Sequence, residues 1–454
     1  MAHIKITKGL DIPLKGKPSG NVQTLARPQL IALDLSSFEE IRFRLLVIVG
    51  DHVAIGQPLV EDKAIPGRVW ASPAGGIITE VRRGDKRRLL GIIIQVAEEE
   101  RYYEQVPFDF NAATREELVD RLKIGGLFAH IRQRPFNILA RPDKEPRIIF
   151  IKAIESAPFM PPAEMQVEGY ELDFQKGLDA LKRLTKGKVH LIYSKNSIFH
   201  PFINAKHVEK HTAEGPHPIG TFSVFIENLD PIKTSEDIIW TLNAHDVVTL
   251  GRFLRLEQYH IERVISIAGP GILPDRTGYF RARAGYPIEA LILNRIQHNA
   301  PRLISGTPLN GEQVKSSDFL KFDDYSFCAI PECVEREFLH FFRAGLNKYS
   351  YSKAYLSGFF SRGAKEYDFT TTLHGEPRAF IDPSLYDKIM PLAIPTMQLV
   401  KAVMAEDYDL AEELGLLEVD SEDFALATFV CPSKMEMSEI IKKGLKVHSA
   451  EVLG

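Results

Sequence analysis

Residues 122–160 constrain this chain most, because one loop in that stretch lacks the residue type its position calls for. A helix is predicted to stop at Gly125-Gly126, since glycine takes positive φ without a Cβ clash. The run Ile148, Ile149, Phe150, Ile151 is apolar on successive residues, the pattern of a strand covered on both faces. Such strands build parallel α/β sheets. The crevice at their carboxyl ends commonly takes a nucleotide, whose phosphates are held by the backbone N–H groups of a glycine-rich turn. Here the loop at residues 127–136 has no glycine and carries Phe128, Pro135 and Phe136, so it cannot cradle a pyrophosphate in the usual way. The expectation is a nucleotide-type scaffold with its nucleotide site filled in.

At 454 residues the chain is too long for one core, and about 100–200 residues per domain gives two to four domains. Its 56 Lys and Arg against 60 Asp and Glu leave a net charge of -4 with no long charged block, which gives a nucleic-acid role little electrostatic support. The apolar runs at 45–49 and 92–94 fall far short of the roughly 18 residues of a membrane span, and the N-terminus has no signal-peptide core. Any contact with a membrane is therefore expected to run through a partner. Three cysteines, Cys328, Cys333 and Cys431, argue for a reducing compartment and against a disulfide framework.

Residues 1–100 read as strand-rich. The half-motifs Gly50-Asp51-His52-Val53 with Gly56-Gln57, and Ser72-Pro73-Ala74-Gly75-Gly76, resemble the two halves of the barrel-sandwich hybrid of biotinyl and lipoyl carriers. Lys63 is near the hairpin tip where a carrier bears its modified lysine. Pro66-Gly67 lengthens that hairpin and no methionine flanks the lysine, so a modified lysine and a solvated hairpin lysine both remain open, the second favoured. Residues 113–122 then read as a helix, Phe174, Leu178, Leu181 and Leu184 as a helix ended by Gly187, and residues 189–193 as a strand. Residues 222–226 are expected to be a further strand, and Thr234-Ser235-Glu236-Asp237 to open a helix carrying Ile238, Ile239 and Leu242. Strands at 264–268, 279–284, near Leu303 and at 327–330, with a helix over 288–297, suggest a β-grasp unit. Beyond it come the aromatics Phe338, Phe341, Phe342, Tyr349, Tyr351, Tyr355, Phe359 and Phe360, then helices starting at Pro395 and after Asp407, with a stop at Gly415.

The chemistry-bearing clusters mostly fail on spacing. Cys431-Pro432 could end an iron–sulfur pattern, but the other ligand positions are Ala427, Phe424 and Ser421, so the cysteines read as small buried hydrophobes. His207 and His211 would share a helix face, yet Val208 stands where a zincin has its glutamate, which favours a solvated helix end. Gly215-Pro216-His217-Pro218 reads as a rigid turn. No nucleophile elbow is present, and neither catalytic nor metal-ligating residues are assigned. The basic, aromatic loop with His130, Arg132, Arg134 and Phe136 suits a flat apolar ligand with carbonyl acceptors, such as a quinone; the alternative is a surface loop whose arginines pair with nearby acids.

Taken in order, the opening Ile4-Lys5-Ile6-Thr7-Lys8-Gly9, then Glu61-Asp62-Lys63, Ser72-Pro73-Ala74, Gly215-Pro216-His217-Pro218, Ser266-Ile267-Ala268-Gly269-Pro270, Met390-Pro391-Leu392 and Asp423-Phe424-Ala425 through Cys431-Pro432 resemble the A subunits of the bacterial Na+-translocating NADH:quinone reductase. That family is similar in architecture to the large flavin subunit of complex I and to the C subunit of Rnf. In those relatives the corresponding loop is glycine-rich and holds flavin, and cysteines near the C-terminus hold a cluster; this sequence departs at both places.

The resemblance implies a multidomain α+β chain. Its parts would be a barrel-sandwich hybrid at 1–100, a Rossmann-like α/β domain without a nucleotide site at 101–260, a β-grasp domain at 261–330 and a C-terminal helical domain at 331–454. It further implies a peripheral subunit with no redox cofactor of its own, on the cytoplasmic face of the inner membrane. Membrane and flavin-carrying partners would hold FMN, FAD, riboflavin and iron–sulfur centres, passing electrons from NADH to ubiquinone while sodium is exported. Quinone contact is expected at His130, Arg132, Arg134 and Phe136; the rivals are a purely structural cap, a biotinyl-type carrier and a nucleotide-dependent soluble oxidoreductase.

Overall fold

The computed structural model describes residues 1–297, 300–333, 342–360 and 365–453. Its largest sheet has seven strands in the spatial order His3–Lys5, Glu209–Glu214, Lys188–Ser194, Ile148–Ala153, Ile239–Asn243, Arg132–Arg134, Ile138–Leu139. The first five are parallel and the last two are antiparallel additions. Starting at Ile148–Ala153, the chain builds outward on one side to Glu209–Glu214 and then returns on the other side as Ile239–Asn243. The two central strands therefore diverge in their connections, which opens a crevice at their carboxyl ends.

Alternation along the Ile148 strand divides two cores. Ile149 and Ile151 pack with Leu118, Leu122, Phe174 and Val247 on one face, whereas Ile148 and Phe150 join Phe225, Leu399 and Phe424 on the other. On the first face, the helices Glu171–Leu184 and Ala244–Leu256 cross at two glycines: a Cβ on Gly251 would lie 1.7 Å from the Asp173 carbonyl oxygen, and one on Gly177 2.1 Å from that of Val247. The helix Arg115–Ile124 is held at its start by reciprocal bonds between Thr114 and Glu117 and is ended by Gly126 at φ 79.

Several elements differ from the sequence expectation. Residues 222–226 start the helix Phe222–Leu229 instead of forming a strand; a short apolar run buried on most sides carries no period that separates the two. Thr234 and Asp237 close a turn, with Asp237 N–H donating to the Thr234 carbonyl at 3.1 Å. Ile239–Asn243 is then a central strand, and the capped helix begins only at Ala244, where Asn243 N–H donates to Asp246 Oδ2 at 3.0 Å. His207 and His211 do not share a helix: His207 has φ 63, and His211 lies in the strand Glu209–Glu214. The helix expected over 288–297 is limited to Ile288–Ile292.

In the N-terminal region a four-stranded sheet (Leu30–Asp34, Leu89–Val96, Gly76–Arg83, His52–Val53) and a three-stranded one (Phe43–Leu45, Pro58–Asp62, Val69–Ala71) enclose Phe38, Trp70, Ile78 and Ile92. Lys63 is exposed just past Pro58–Asp62. A six-stranded sheet follows, in the order Glu312–Val314, Arg302–Ser305, Ser326–Ile330, Glu262–Ala268, Gly278–Arg283, Gln23–Thr24. Toward the C-terminus the helices Thr396–Met404, Tyr408–Glu413, Ala425–Val430 and Met437–Leu453 close over the second core; Pro395 stands one residue before its helix, and Gly415 has φ 98. Tyr349, Tyr367, Phe369 and Phe429 form a ring cluster while Phe342, Phe359 and Phe360 are exposed, and Phe338 and Phe341 lie outside the described residues. Cys328 and Cys431 are buried, as expected of small hydrophobes, whereas Cys333 is exposed. Among the described residues no helix is long and apolar enough to cross a membrane.

Candidate functional site

The glycine-free loop enters the fold as structure in its own right. Residues Leu127–His130 form a buried single turn, and Phe128 meets Trp240 edge-on with ring centroids 5.7 Å apart. The next residues, Arg132–Arg134, add to the sheet alongside Ile239–Asn243. Phe128 and Trp240 thus pack against each other in the core beneath the switch point.

A cavity of about 420 Å³ remains in front of that loop, and His130, Arg132, Arg134 and Phe136 all line it. Lys152 from the end of the Ile148 strand, Thr241 to Asn243 from its neighbour, and Asp246 complete the wall of the crevice. Asp323 and Tyr325 enter from the loop before Ser326–Ile330 of the six-stranded sheet, Asp420 and Glu422 from the C-terminal region, and Ser37, Glu39 and Glu40 from the N-terminal region. Four parts of the chain distant in sequence therefore meet here.

Each of the four residues has its own partners. His130 is buried, with Nδ1 3.1 Å from Asp246 Oδ1 and Nε2 3.2 Å from the Tyr259 hydroxyl. Asp246 also accepts from the Tyr325 hydroxyl at 3.3 Å and from Asn243 N–H at 3.0 Å, so one carboxylate both caps a helix and orients the imidazole. Arg132 forms an ion pair with Asp323 and lies over the Phe38 ring at 5.5 Å. Burial lowers the Arg132 pKa, but Asp323 with Glu40 and Asp420 outweighs it and the net shift is upward. Arg134 is only 2% exposed and donates to Ser223 Oγ at 3.0 Å and to the Pro135 carbonyl at 3.2 Å, with its second terminal nitrogen lacking a partner among the described residues. Phe136 packs edge-on against His448 at 5.7 Å.

The acids and the lysine around them were not singled out from the sequence. Burial pushes Glu422 up to about 8, against the lowering pull of Lys152, and lifts Asp423 to about 6 against that of Arg134. Burial also disfavours the Lys152 ammonium, yet Glu155 at 3.1 Å and then Glu422 outweigh it and hold its pKa above the ordinary value. At neutral pH the cavity thus offers fixed cations beside a carboxyl group that is still protonated, a combination suited to a neutral ligand with hydrogen-bond acceptors. Lys152 was findable, since it is a charged residue directly after four apolar ones in a buried strand. Asp246 could have been found only by placing the helix start correctly, and Asp323 gives no local signal.

Models of one family match three parts of the chain: the NqrA N-terminal barrel-sandwich hybrid domain at residues 4–97, the NqrA second alpha/beta domain at 113–258, and the NQRA C-terminal domain at 264–316. The first agrees with the fold expected from the half-motifs around Gly50 and Ser72. Among curated proteins the chain is similar to the Na(+)-translocating NADH-quinone reductase A subunit of Chlamydia pneumoniae, at 36% identity over 99% of this chain and 98% of the relative. The protein of the same name from Rhodopirellula baltica is 34% identical over 98% of each chain, and that from Cellvibrio japonicus 32% identical over 97% and 98%. A solved chain of an NAD+-reducing [NiFe]-hydrogenase, 12% identical over 75% of this chain and 64% of its own, reaches a TM-score of only 0.37 and supports no argument. Near-complete coverage at this identity, together with the three domain models, shows that the chain belongs to the family of A subunits of the Na+-translocating NADH-quinone reductase.

Proposed function

We propose that this chain serves a Na+-translocating NADH:quinone reductase as its quinone-contacting subunit, without a redox cofactor of its own. The oxidoreductase complex to which the named relatives belong couples NADH oxidation and quinone reduction to sodium transport, and this chain is a subunit of such a complex. The single observation that carries the quinone reading is the convergence of His130, Arg132, Arg134 and Phe136 on one cavity at the switch point of the sheet. Guanidinium and imidazole donors would bond the two carbonyls, Phe136 would cover a ring face, and the more anionic reduced form would gain most from the arginines.

The wider reading rests on the family and on the absence of a membrane-crossing helix among the described residues. In it the chain is a peripheral subunit on the cytoplasmic face of the inner membrane. It docks on membrane and flavin-carrying subunits that hold FMN, FAD, riboflavin and iron–sulfur centres, and ubiquinone is the substrate. Its parts would be the barrel-sandwich hybrid at 1–100, a Rossmann-like domain at 101–260, a β-grasp domain at 261–330 and a helical domain at 331–454.

One observation favours a purely structural cap: Arg132 is already paired with Asp323 and His130 with Asp246, so both are satisfied without a ligand. Equilibrium binding of a short-chain ubiquinone to the assembled complex separates the two. Arg132→Gln in a folded, assembled complex is expected to weaken quinone affinity about tenfold, the worth of one hydrogen bond to a charged donor. Unchanged affinity in that complex would leave the cap as the better reading.

A further inference from the structure

Near the amino ends of the parallel strands, away from the crevice, strand register gathers three side chains that could ligate a metal. His190 pairs with Glu209 across the ladder and Ile192 with His211, so His190, Glu209 and His211 share one face of the sheet. His190 Nδ1 lies 2.8 Å from His211 Nε2 and 3.8 Å from Glu209 Oε2, and one ligand atom from each of the three falls within 4.8 Å of the others. Ligands on a tetrahedral zinc ion at about 2.0–2.1 Å stand roughly 3.3 Å apart, so small side-chain shifts separate the present contacts from a coordination shell. The imidazoles are buried while the Glu209 side chain is 47% exposed, which leaves a path from solvent and one flexible ligand. Phe150 stacks on His190 at 5.0 Å and fixes its ring.

Burial lowers the pKa of both histidines, that of His190 to about 4, which favours the neutral imidazole a metal needs. Hydrogen bonds also assign the tautomers. Ala2 N–H donates to His211 Nδ1 at 3.1 Å, which puts the His211 proton on Nε2, pointing at His190 Nδ1. The His190 proton is then on Nε2, an atom with no partner among the described residues. His190 Nδ1 already offers a lone pair, whereas His211 must move its proton from Nε2 to Nδ1 and give up the Ala2 contact.

We propose that His190, Glu209 and His211 form a site for one borderline divalent cation, Zn2+ by ligand type, with water completing the shell. Loading clamps the Lys188–Ser194 strand to its neighbour Glu209–Glu214. It also loosens the end of the His3–Lys5 strand, because Nδ1–H of His211 would then face Ala2 N–H.

The test is titration of the untagged, metal-stripped full chain with Zn2+ against a chromogenic chelator, with amide exchange at Ala2 followed in parallel. One Zn2+ per chain is expected at micromolar affinity or better, with faster exchange at Ala2 on loading. His211→Gln is expected to weaken binding at least tenfold. Glu209→Gln, on an exposed side chain that leaves the core intact, is expected to weaken it about tenfold with the circular dichroism unchanged. Equal Zn2+ binding in the wild type and the folded Glu209→Gln variant, or no stoichiometric binding at all, overturns the site.

Discussion

Arg132 and Asp323 pair across the crevice, the guanidinium from the next-to-last strand of the large sheet and the carboxylate from the loop leading into Ser326–Ile330. Both side chains are partly exposed, so the pair itself contributes only about 0–1 kcal/mol to stability. In the proposed quinone contact, Asp323 would compete with the ligand for the arginine. Asp323→Asn is therefore expected to tighten quinone binding several-fold in the assembled complex, the opposite sign to Arg132→Gln, with little change in stability. Calorimetry on the two variants reads both signs; a shift of both in the same direction would remove Arg132 from the ligand contacts.

Asp246 supports three groups at once, His130, the Tyr325 hydroxyl and the N–H of Asn243. Asp246→Ala leaves buried polar atoms without partners and uncaps the helix Ala244–Leu256. A loss of about 2–4 kcal/mol is expected in urea unfolding of the purified chain. A loss under 1 kcal/mol would mean that water replaces the carboxylate at little cost.

Glu422 sets a pH dependence of known sign. Burial raises its pKa from an ordinary 4.5 to about 8, so between those values the folded chain holds a proton that the unfolded chain has released. Its contribution to stability is therefore full below the lower value and falls as pH rises toward 8. The difference in unfolding midpoint between Glu422→Gln and the wild type is expected to grow in favour of the variant from pH 5 to pH 8.5. A constant difference across that range would show that Glu422 titrates as an ordinary carboxylate.

Gly251 lies where the helices Glu171–Leu184 and Ala244–Leu256 touch backbone to backbone. An added Cβ must push them apart, so Gly251→Ala is expected to cost about 1–3 kcal/mol despite alanine's better helix propensity. Thermal unfolding checks this, and a stabilised variant would mean that the crossing yields without cost.

Much of the architecture was legible locally. Successive apolar residues at 148–151 announced a strand buried on both faces, and the two cores divided by its alternate side chains are that strand seen in section. The paired glycine turns around Gly50 and Ser72 announced the N-terminal sheets. The errors fell where a short apolar run was buried on most sides: residues 222–226 became a helix, and Ile239 to Leu242 a strand. Periodicity needs a solvated face to be visible, and these segments have none. His207 and His211 were matched by helical spacing, whereas the partner of His211 is His190, 21 residues earlier on the adjacent strand.

By itself, the sequence determined that the loop at 127–136 lacks glycine and which donors it carries, since two arginines, a histidine and two phenylalanines are local facts. Only the tertiary structure decided what those donors face. Asp246 arrives from 116 residues after His130, and Asp323 from 191 residues after Arg132. The carboxylates' protonation states follow from burial, which no single segment encodes. Charge pairing and desolvation depend on distance in space, and the switch point of a parallel sheet brings together strand ends that the sequence keeps apart.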